Sequence, residues 1–222
     1  MASAPIHAVR ERFSVQLANT AELAREAHRL RYQVYCVEND YLEGDGLEVD
    51  EFDIHSHQVG LRDNQSSQVV GTARLVLFRE ETPDHSFPMQ EVTPVSLHRY
   101  VPLHTTAEVS RFAISKRQRN QVGTSAGLLR LALVQGLVRL STELGLTHWV
   151  AVMEPSLLRL LKSSAIYFNE IGWAIEYHGL RQPCYASVEA LLARVHDEKP
   201  DLWGLLTDNG RLWPEPDHRA AA

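Results

Sequence analysis

The stretch TTAEVSRFAISKRQRNQVGTSAGLL, residues 105–129, decides the fold. Its first part alternates as a strand over about 106–115, and its middle carries three bases in KRQR, 116–119. VGTS then opens a long helix of about 124–144, lined by Leu129, Leu133, Leu137, Leu140 and Leu144 and closed by a glycine in LGL. A strand, a basic turn over KRQRNQ, a glycine and a helix, in that order, make a candidate phosphate site. Free N–H groups at a helix N-terminus and flanking cations attract the anion, and Gly123 allows it close. Glu108 and Arg111 lie three apart in the strand, so a flat ladder sends them to opposite faces. They share a cleft only where an inserted residue resets the phase, which predicts a bulge near 108–112.

Outward from this stretch, NTAE at 19–22 signals a helix N-cap with a capping-box acid. Leu23, Ala27, Leu30 and Val34 then recur at helical spacing, giving a helix of roughly 20–37 with Arg31 and Tyr35 on one stripe. Strands are expected at 57–62 and 68–78. In the second, Arg74 interrupts the face carrying Val70, Thr72, Val76 and Phe78. Residues 79–105 read as irregular, with a short helical piece near 89–99. THWVAVM (147–153) reads as a strand, EPSLLRLLK as a helix, 173–178 as a strand, and YASVEALLARVHD (185–197) as a terminal helix. This alternation predicts an α/β fold with one mixed sheet flanked by helices. A single domain is expected over 1–198, followed by a tail, 199–222, broken by prolines and docked in part through its tryptophans.

Three arginines, Arg31, Arg74 and Arg111, and three carboxylates, Asp50, Asp53 and Glu108, fall where the chain should build a core. A lone buried charge costs several kcal/mol, so such groups come in pairs. The cluster reads as a reactive cleft or as a buried ion-pair lock. Residues 38–53 hold eight acids and no base, and Tyr41, Leu42, Leu47, Val49 and Phe52 are expected to anchor that loop.

A net charge of −6 argues against a nucleic-acid footprint over the whole surface. Two cysteines, Cys36 and Cys184, make no disulfide framework and read as buried small hydrophobes in a reducing compartment. His55 and His57 lack the partners of a metal site, so no metal is expected. No stretch has signal-peptide or membrane-span length and character, so the expectation is a cytoplasmic domain without an integral membrane span.

The ordered set RYQVY (31–35), DEFD (50–53), GTAR (71–74) and EVSRF (108–112) resembles the signature of the acyl-homoserine-lactone synthases and the N-acyl amino acid synthases, of the GNAT acyltransferase fold. The agreement is closest with the branch described as PEP-CTERM/exosortase system-associated acyltransferases, which share the RYxVYCxE opening. The resemblance covers about 28–120, about 40% of the chain.

The resemblance implies an N-acyltransferase that moves a long fatty acyl chain from acyl carrier protein, or from acyl-CoA, to the amine of an amino acid. No permanently bound cofactor is implied. Glu108, with Arg111, matches the family's catalytic pair, and Glu108 is the candidate base. Arg31, Tyr35, Tyr41, Asp50, Asp53 and Arg74 match substrate-binding positions. Tyr35 stands where lactone synthases have phenylalanine, and Tyr41 where they have the tryptophan of the S-adenosylmethionine pocket. Lys116, Arg117, Arg119, Gly123, Thr124 and Ser125 form the implied site for the donor's phosphopantetheine and for the acidic carrier. The depth of the acyl pocket is expected to depend on residues such as Leu133, Val150 and Trp173. A lactone synthase using S-adenosylmethionine and a non-catalytic acyl-binding module are the alternative readings.

Overall fold

The computed structural model describes residues 4–18, 20–122 and 125–216. In chain order the elements are α1 (Ala4–Arg12), β1 (Phe13–Leu17), α2 (Ala21–Tyr32), β2 (Ser56–Asp63), β3 (Val69–Leu77), α3 (Met89–Val92), β4 (Thr106–Ile114), α4 (Lys116–Val122), α5 (Ala126–Leu144), β5 (His148–Met153), α6 (Pro155–Ser163), β6 (Asn169–Glu170), β7 (Ile175–Glu176), β8 (Leu180–Ser187), α7 (Val188–Glu198) and α8 (Pro200–Leu206). One sheet runs in the order β1-β2-β3-β4-β5-β8-β6, with β7 paired to β8. Its only parallel pairing among the described residues is β4 with β5. The mixed sheet with flanking helices is the predicted α/β architecture.

That parallel pair creates the site. Thr106, Ala107 and Glu108 pair with His148, Trp149 and Val150, and there the register ends, although β4 runs on to Ile114 and β5 to Met153. β4 stays on β3 and β5 stays on β8. The sheet therefore parts beyond Glu108. The predicted bulge is also present: Thr72 faces Ala113 and Arg74 faces Ser110, so Ala73 meets two residues, Arg111 and Phe112. Arg111 takes the left-handed conformation at φ 49° that lets the strand absorb the extra residue.

α5 crosses β1, β2 and β3 and carries most of the core with Ala73, Leu75 and Trp149. Gly136 makes that approach possible, because a Cβ there would stand 2.3 Å from Val59 Cγ1. Its C-terminus ends on Gly145 at φ 66°, the expected glycine cap. α2 packs against β2, β3 and β4, and residues alternating with Ala73 and Leu75 on β3 point toward it.

Several boundaries depart from the sequence reading. The first helix is α-helical only to Tyr32 and continues as a π-helical turn, Gln33–Glu38. Its cap is Thr20, whose hydroxyl accepts from Leu23 N, so Glu22 is one residue short of completing a capping box with it. The KRQRNQ segment is no turn but helix α4. No sequence expectation covers α1, β1 or the first part of β8, and residues 185–187, expected at the head of the last helix, complete that strand instead. Pro183 lies inside this strand. Its carbonyl accepts from Ile171 N, so its missing N–H falls on the side away from β5 and the main ladder survives. Pro200 begins α8 rather than breaking the chain, since proline suits a helix's first turn. Leu202, Trp203, Leu205 and Leu206 of α8 then join the core. No helix of the described residues is long and apolar enough to cross a membrane.

Candidate active site

DEFD folds as a local device. Asp50 caps the 3-10 turn Glu51–His55 by accepting from Phe52 N, while Asp53 reaches back to Asp50 N at 2.9 Å, closing a capping box. Phe52 is buried beneath it. Both carboxylates are thereby aimed at the arginines of α2 and β3. Arg31 donates to Asp53 at 2.6 and 3.0 Å, and Arg74 grips Asp50 at 2.5 and 3.0 Å, Asp53 at 2.9 Å and Ser110 Oγ at 3.0 Å. Arg31 and Arg74 are fully buried.

The third carboxylate of this network is Glu48, a residue the sequence reading did not single out. It accepts from Arg31 Nε and from Arg111 Nε and Nη2, the latter at 2.9 Å, and Arg111 bridges on to Asp50 at 2.8 Å. Glu48 is 5% exposed whereas its neighbour Val49 is 55% exposed. The expected loop anchors are thus corrected: Phe52 is buried, Tyr41 and Val49 face solvent, and an acid goes inward because two guanidiniums receive it. Burial alone would raise the carboxyls of Asp50 and Asp53, but their arginine partners hold both below the usual range. Burial likewise opposes the charge on Arg31 and Arg111, and their acidic partners outweigh it.

Glu108 stands apart from this network. Three arginines meet Glu48, Asp50 and Asp53, and Glu108 instead accepts a 2.8 Å hydrogen bond from Met89 N of α3. It is 3% exposed, and burial pushes its carboxyl up to about 8, against the pull of the Met89 N–H, Arg74 and Arg111. A carboxyl so placed is largely protonated at neutral pH. Once ionised it is a stronger base than an ordinary glutamate, and strongly shifted groups in clefts mark reactive sites.

Glu108 opens onto a cavity of about 940 Å³ in the gap between β4 and β5. Asp50, Arg111, Tyr35 and Tyr41 line it beside Glu108, whereas Arg31, Asp53 and Arg74 lie behind that wall. Tyr35 lies under the Arg111 guanidinium at 5.6 Å, and Tyr41 stacks on His178 at 5.8 Å. The apolar part is walled by Val134, Leu137, Trp149, Met153, Ile166 and Phe168. This replaces the expected acyl-pocket residues: Leu133 and Val150 are sealed in the packed interior, and Trp173 is 91% exposed. Cys184 is buried as expected, whereas Cys36 is only half-buried.

Of the implied donor residues, Lys116 and Arg119 of α4 line the cavity together with Arg130 of α5, while Arg117 is exposed and does not. Ser125 caps α5 by accepting from Leu128 N. Gly123 and Thr124 lie outside the described residues.

The family described as Acetyltransferase (GNAT) domain matches residues 30–128. The chain carries a GNAT-type acyltransferase domain. Its open sheet, parted between β4 and β5 and bulged at Arg111, is the frame on which this acyltransferase holds its cluster. An acyl-homoserine-lactone synthase of Aliivibrio fischeri (strain ATCC 700601 / ES114) is 29% identical over 147 residues, covering 64% of this chain and 73% of that protein. Among solved structures the AHL synthase LasI superposes with a TM-score of 0.66 at 20% identity, over 86% of this chain and 95% of that one. FeeM, an N-acyl amino acid synthase from uncultured soil microbes, superposes with a TM-score of 0.61 at 15% identity, over 82% and 94%. At these identities the two structures establish the fold of the GNAT acyltransferase.

Proposed function

We propose that this acyltransferase transfers a long-chain fatty acyl group from a phosphopantetheine thioester, on acyl carrier protein or coenzyme A, to the amine of an amino acid, releasing an N-acyl amino acid. The observation that carries the reading is the raised, buried carboxyl of Glu108 opening onto a cavity that is ionic at one end and apolar at the other. Glu108 and Arg111 are the residues we assign to the chemistry. Arg31, Asp50, Asp53 and Arg74, with Tyr35 and Tyr41, shape the acceptor end. The enzyme acts in the cytoplasm and belongs to the exosortase-associated branch that its RYQVYCVE opening resembles.

The thioester lies in the gap between β4 and β5, with its acyl chain among Val134, Leu137 and Phe168. Ionised Glu108 takes a proton from the acceptor ammonium, directly or through one water. The free amine attacks the thioester carbon, a C–N bond forms, and the charge that develops on the carbonyl oxygen meets the unpaired edge of β4 beyond Glu108. The C–S bond then breaks, the nitrogen loses its second proton, and the pantetheine thiolate leaves as the thiol.

A lactone synthase using S-adenosylmethionine is the second reading, favoured by the name of the Aliivibrio relative. One assay separates the two. The chain is incubated with palmitoyl-acyl carrier protein and either pooled amino acids or S-adenosylmethionine, and the products are read by mass spectrometry. An N-acyl amino acid without methylthioadenosine is the expected result. Release of methylthioadenosine transfers the assignment to the lactone synthases, and acyl binding without product from any amine identifies a non-catalytic module.

A further inference from the structure

The π-helical turn Gln33–Glu38 joins the two ends of the cavity. A π turn widens a helix by one residue and recurs at functional sites. Tyr35 within it lies at the ionic end, beneath Arg111. Its last residue, Glu38, binds a different element. Glu38 Oε1 accepts the Ser115 hydroxyl at 2.6 Å and Arg117 N at 3.3 Å, and Oε2 accepts Lys116 N at 2.8 Å. Ser115 Oγ in turn accepts from Gln118 N at 3.2 Å. The first two amides of α4 are thus satisfied by a side chain 78 and 79 residues away in sequence. Asn39 completes the joint: its Oδ1 accepts from Lys116 Nζ at 2.8 Å and its Nδ2 donates to Val34 O at 2.9 Å. Burial alone would raise the Glu38 carboxyl, and the bonds from Ser115, Lys116 N and Arg117 N hold it below the usual range.

The element so held carries Lys116 and Arg119 to the cavity mouth beside Arg130. Burial and the nearby charge of Arg119 lower the pKa of Arg130, and neither arginine has an acidic partner among the described residues. Two neighbouring cations at a cavity mouth are matched to an anion brought by the ligand.

We propose that Glu38, with Asn39, is a positioning residue for the acyl donor. It pins α4 to the π turn so that Lys116 and Arg119 meet the phosphate of a pantetheine arm. The proposal rests on the donor entering at this basic rim, as in the function proposed above. Because the same turn holds Tyr35, the donor-binding helix and the acceptor wall are set by one piece of backbone.

Binding of palmitoyl-acyl carrier protein and of palmitoyl-coenzyme A, measured separately at low and high salt, tests it. In Glu38→Gln, one oxygen becomes an amide donor facing another donor, and affinity is expected to fall roughly three- to tenfold. Asn39→Ala should weaken binding less while leaving the α4 cap in place. Lys116→Ala/Arg119→Ala should weaken binding and flatten its salt dependence. Adding Glu38→Gln to that pair should weaken it no further, since the residue acts through those cations. A purely structural role gives additive losses and overturns the proposal. Normal affinity in Glu38→Gln and Asn39→Ala, with the cation pair still impaired, overturns it while leaving the donor site intact. Normal affinity in every variant removes the donor reading and this proposal together. A loss seen with the carrier protein and with coenzyme A alike assigns the contact to the shared pantetheine phosphate, and a loss seen with the carrier alone assigns it to the carrier surface and overturns the phosphate assignment.

Discussion

Arg111 follows Glu108 by three residues on β4, yet both line one cavity, because the strand holds an extra residue opposite Ala73. The bulge has a consequence for the ion network. With the phase reset, the Arg111 guanidinium reaches Glu48 and Asp50 rather than the opposite face of the sheet.

Arg111→Lys should therefore be damaging despite keeping the charge. Lysine lacks the planar fork that bridges two carboxylates, and a primary ammonium cannot reproduce Nε and Nη2 both bonding Glu48. A loss of about 1–3 kcal/mol in urea unfolding is expected, together with a clear fall in turnover. Wild-type stability in this variant would show that the bridge contributes nothing.

The raised carboxyl of Glu108 fixes the direction of a pH–rate profile. As the base, Glu108 must be ionised, so kcat/KM should climb with pH and level off above an apparent pKa of about 8. Glu108→Gln should remove this limb and lower turnover by roughly 10²–10⁴-fold, with circular dichroism unchanged. Retained turnover in the variant would remove Glu108 from the chemistry.

The same group makes stability fall as pH rises. Glu108 holds its proton to about 8 when folded, against 4.5 for the ordinary side chain. Between those values the folded state binds more protons than the unfolded one. This contribution to stability is fully present below about 4.5 and is lost progressively up to about 8, at no more than about 1.4 kcal/mol per pH unit. Asp50 and Asp53 act in the opposite sense: their depressed pKa values add stability above the unfolded carboxylate range that is lost on acidification. Unfolding free energies at pH 5.5, 6.5 and 7.5 separate the two, because the Asp contribution is flat there. In Glu108→Gln the downward slope should be lost, leaving the rising contribution of His28 and His148, whose burial lowers their pKa values.

The buried network predicts an asymmetry between deletion and exposure. Arg74→Ala takes from Asp50 and Asp53 the fully buried guanidinium that bridges them, and should cost about 3–5 kcal/mol. Glu48→Ala removes the acceptor that Arg31 and Arg111 share, and should be comparably severe. Replacement at Lys116 or Arg119, on the rim, should change stability by less than about 0.5 kcal/mol. Denaturant midpoints for the four variants give the ranking.

What could be read from the chain follows from where its periodicities are simple. The bulge was legible because Glu108 and Arg111 violate period two within a strong strand, and α5 because five leucines keep helical spacing and Gly145 ends it. Glu48 was hidden for the opposite reason. It sits among eight acids in a loop without period, and only the fold brings Arg31 and Arg111 to it. The third acid of the cluster therefore looked like Glu108, which the structure frees from ion pairing and gives to Met89 N. β8 carries Pro183, whose lost donor is harmless only in the register the fold supplies. The acyl pocket could not be read at all, since Val134 and Phe168 line a cavity at a gap in the sheet that no local pattern encodes.

That gap supplies the last expectation, on acyl-chain length. Val134 of α5 lines the cavity at 4% exposure, one turn before Leu137. Val134→Phe puts an aromatic ring into the space assigned to the acyl chain. Each buried methylene contributes about 0.8 kcal/mol, or roughly fourfold in affinity, so losing room for two should shift the preferred chain downward by about that number. Competition between acyl donors of graded length, read by mass spectrometry of the products, measures the shift. If chain preference stays unchanged while stability falls, the ring is straining the core and the acyl chain lies elsewhere.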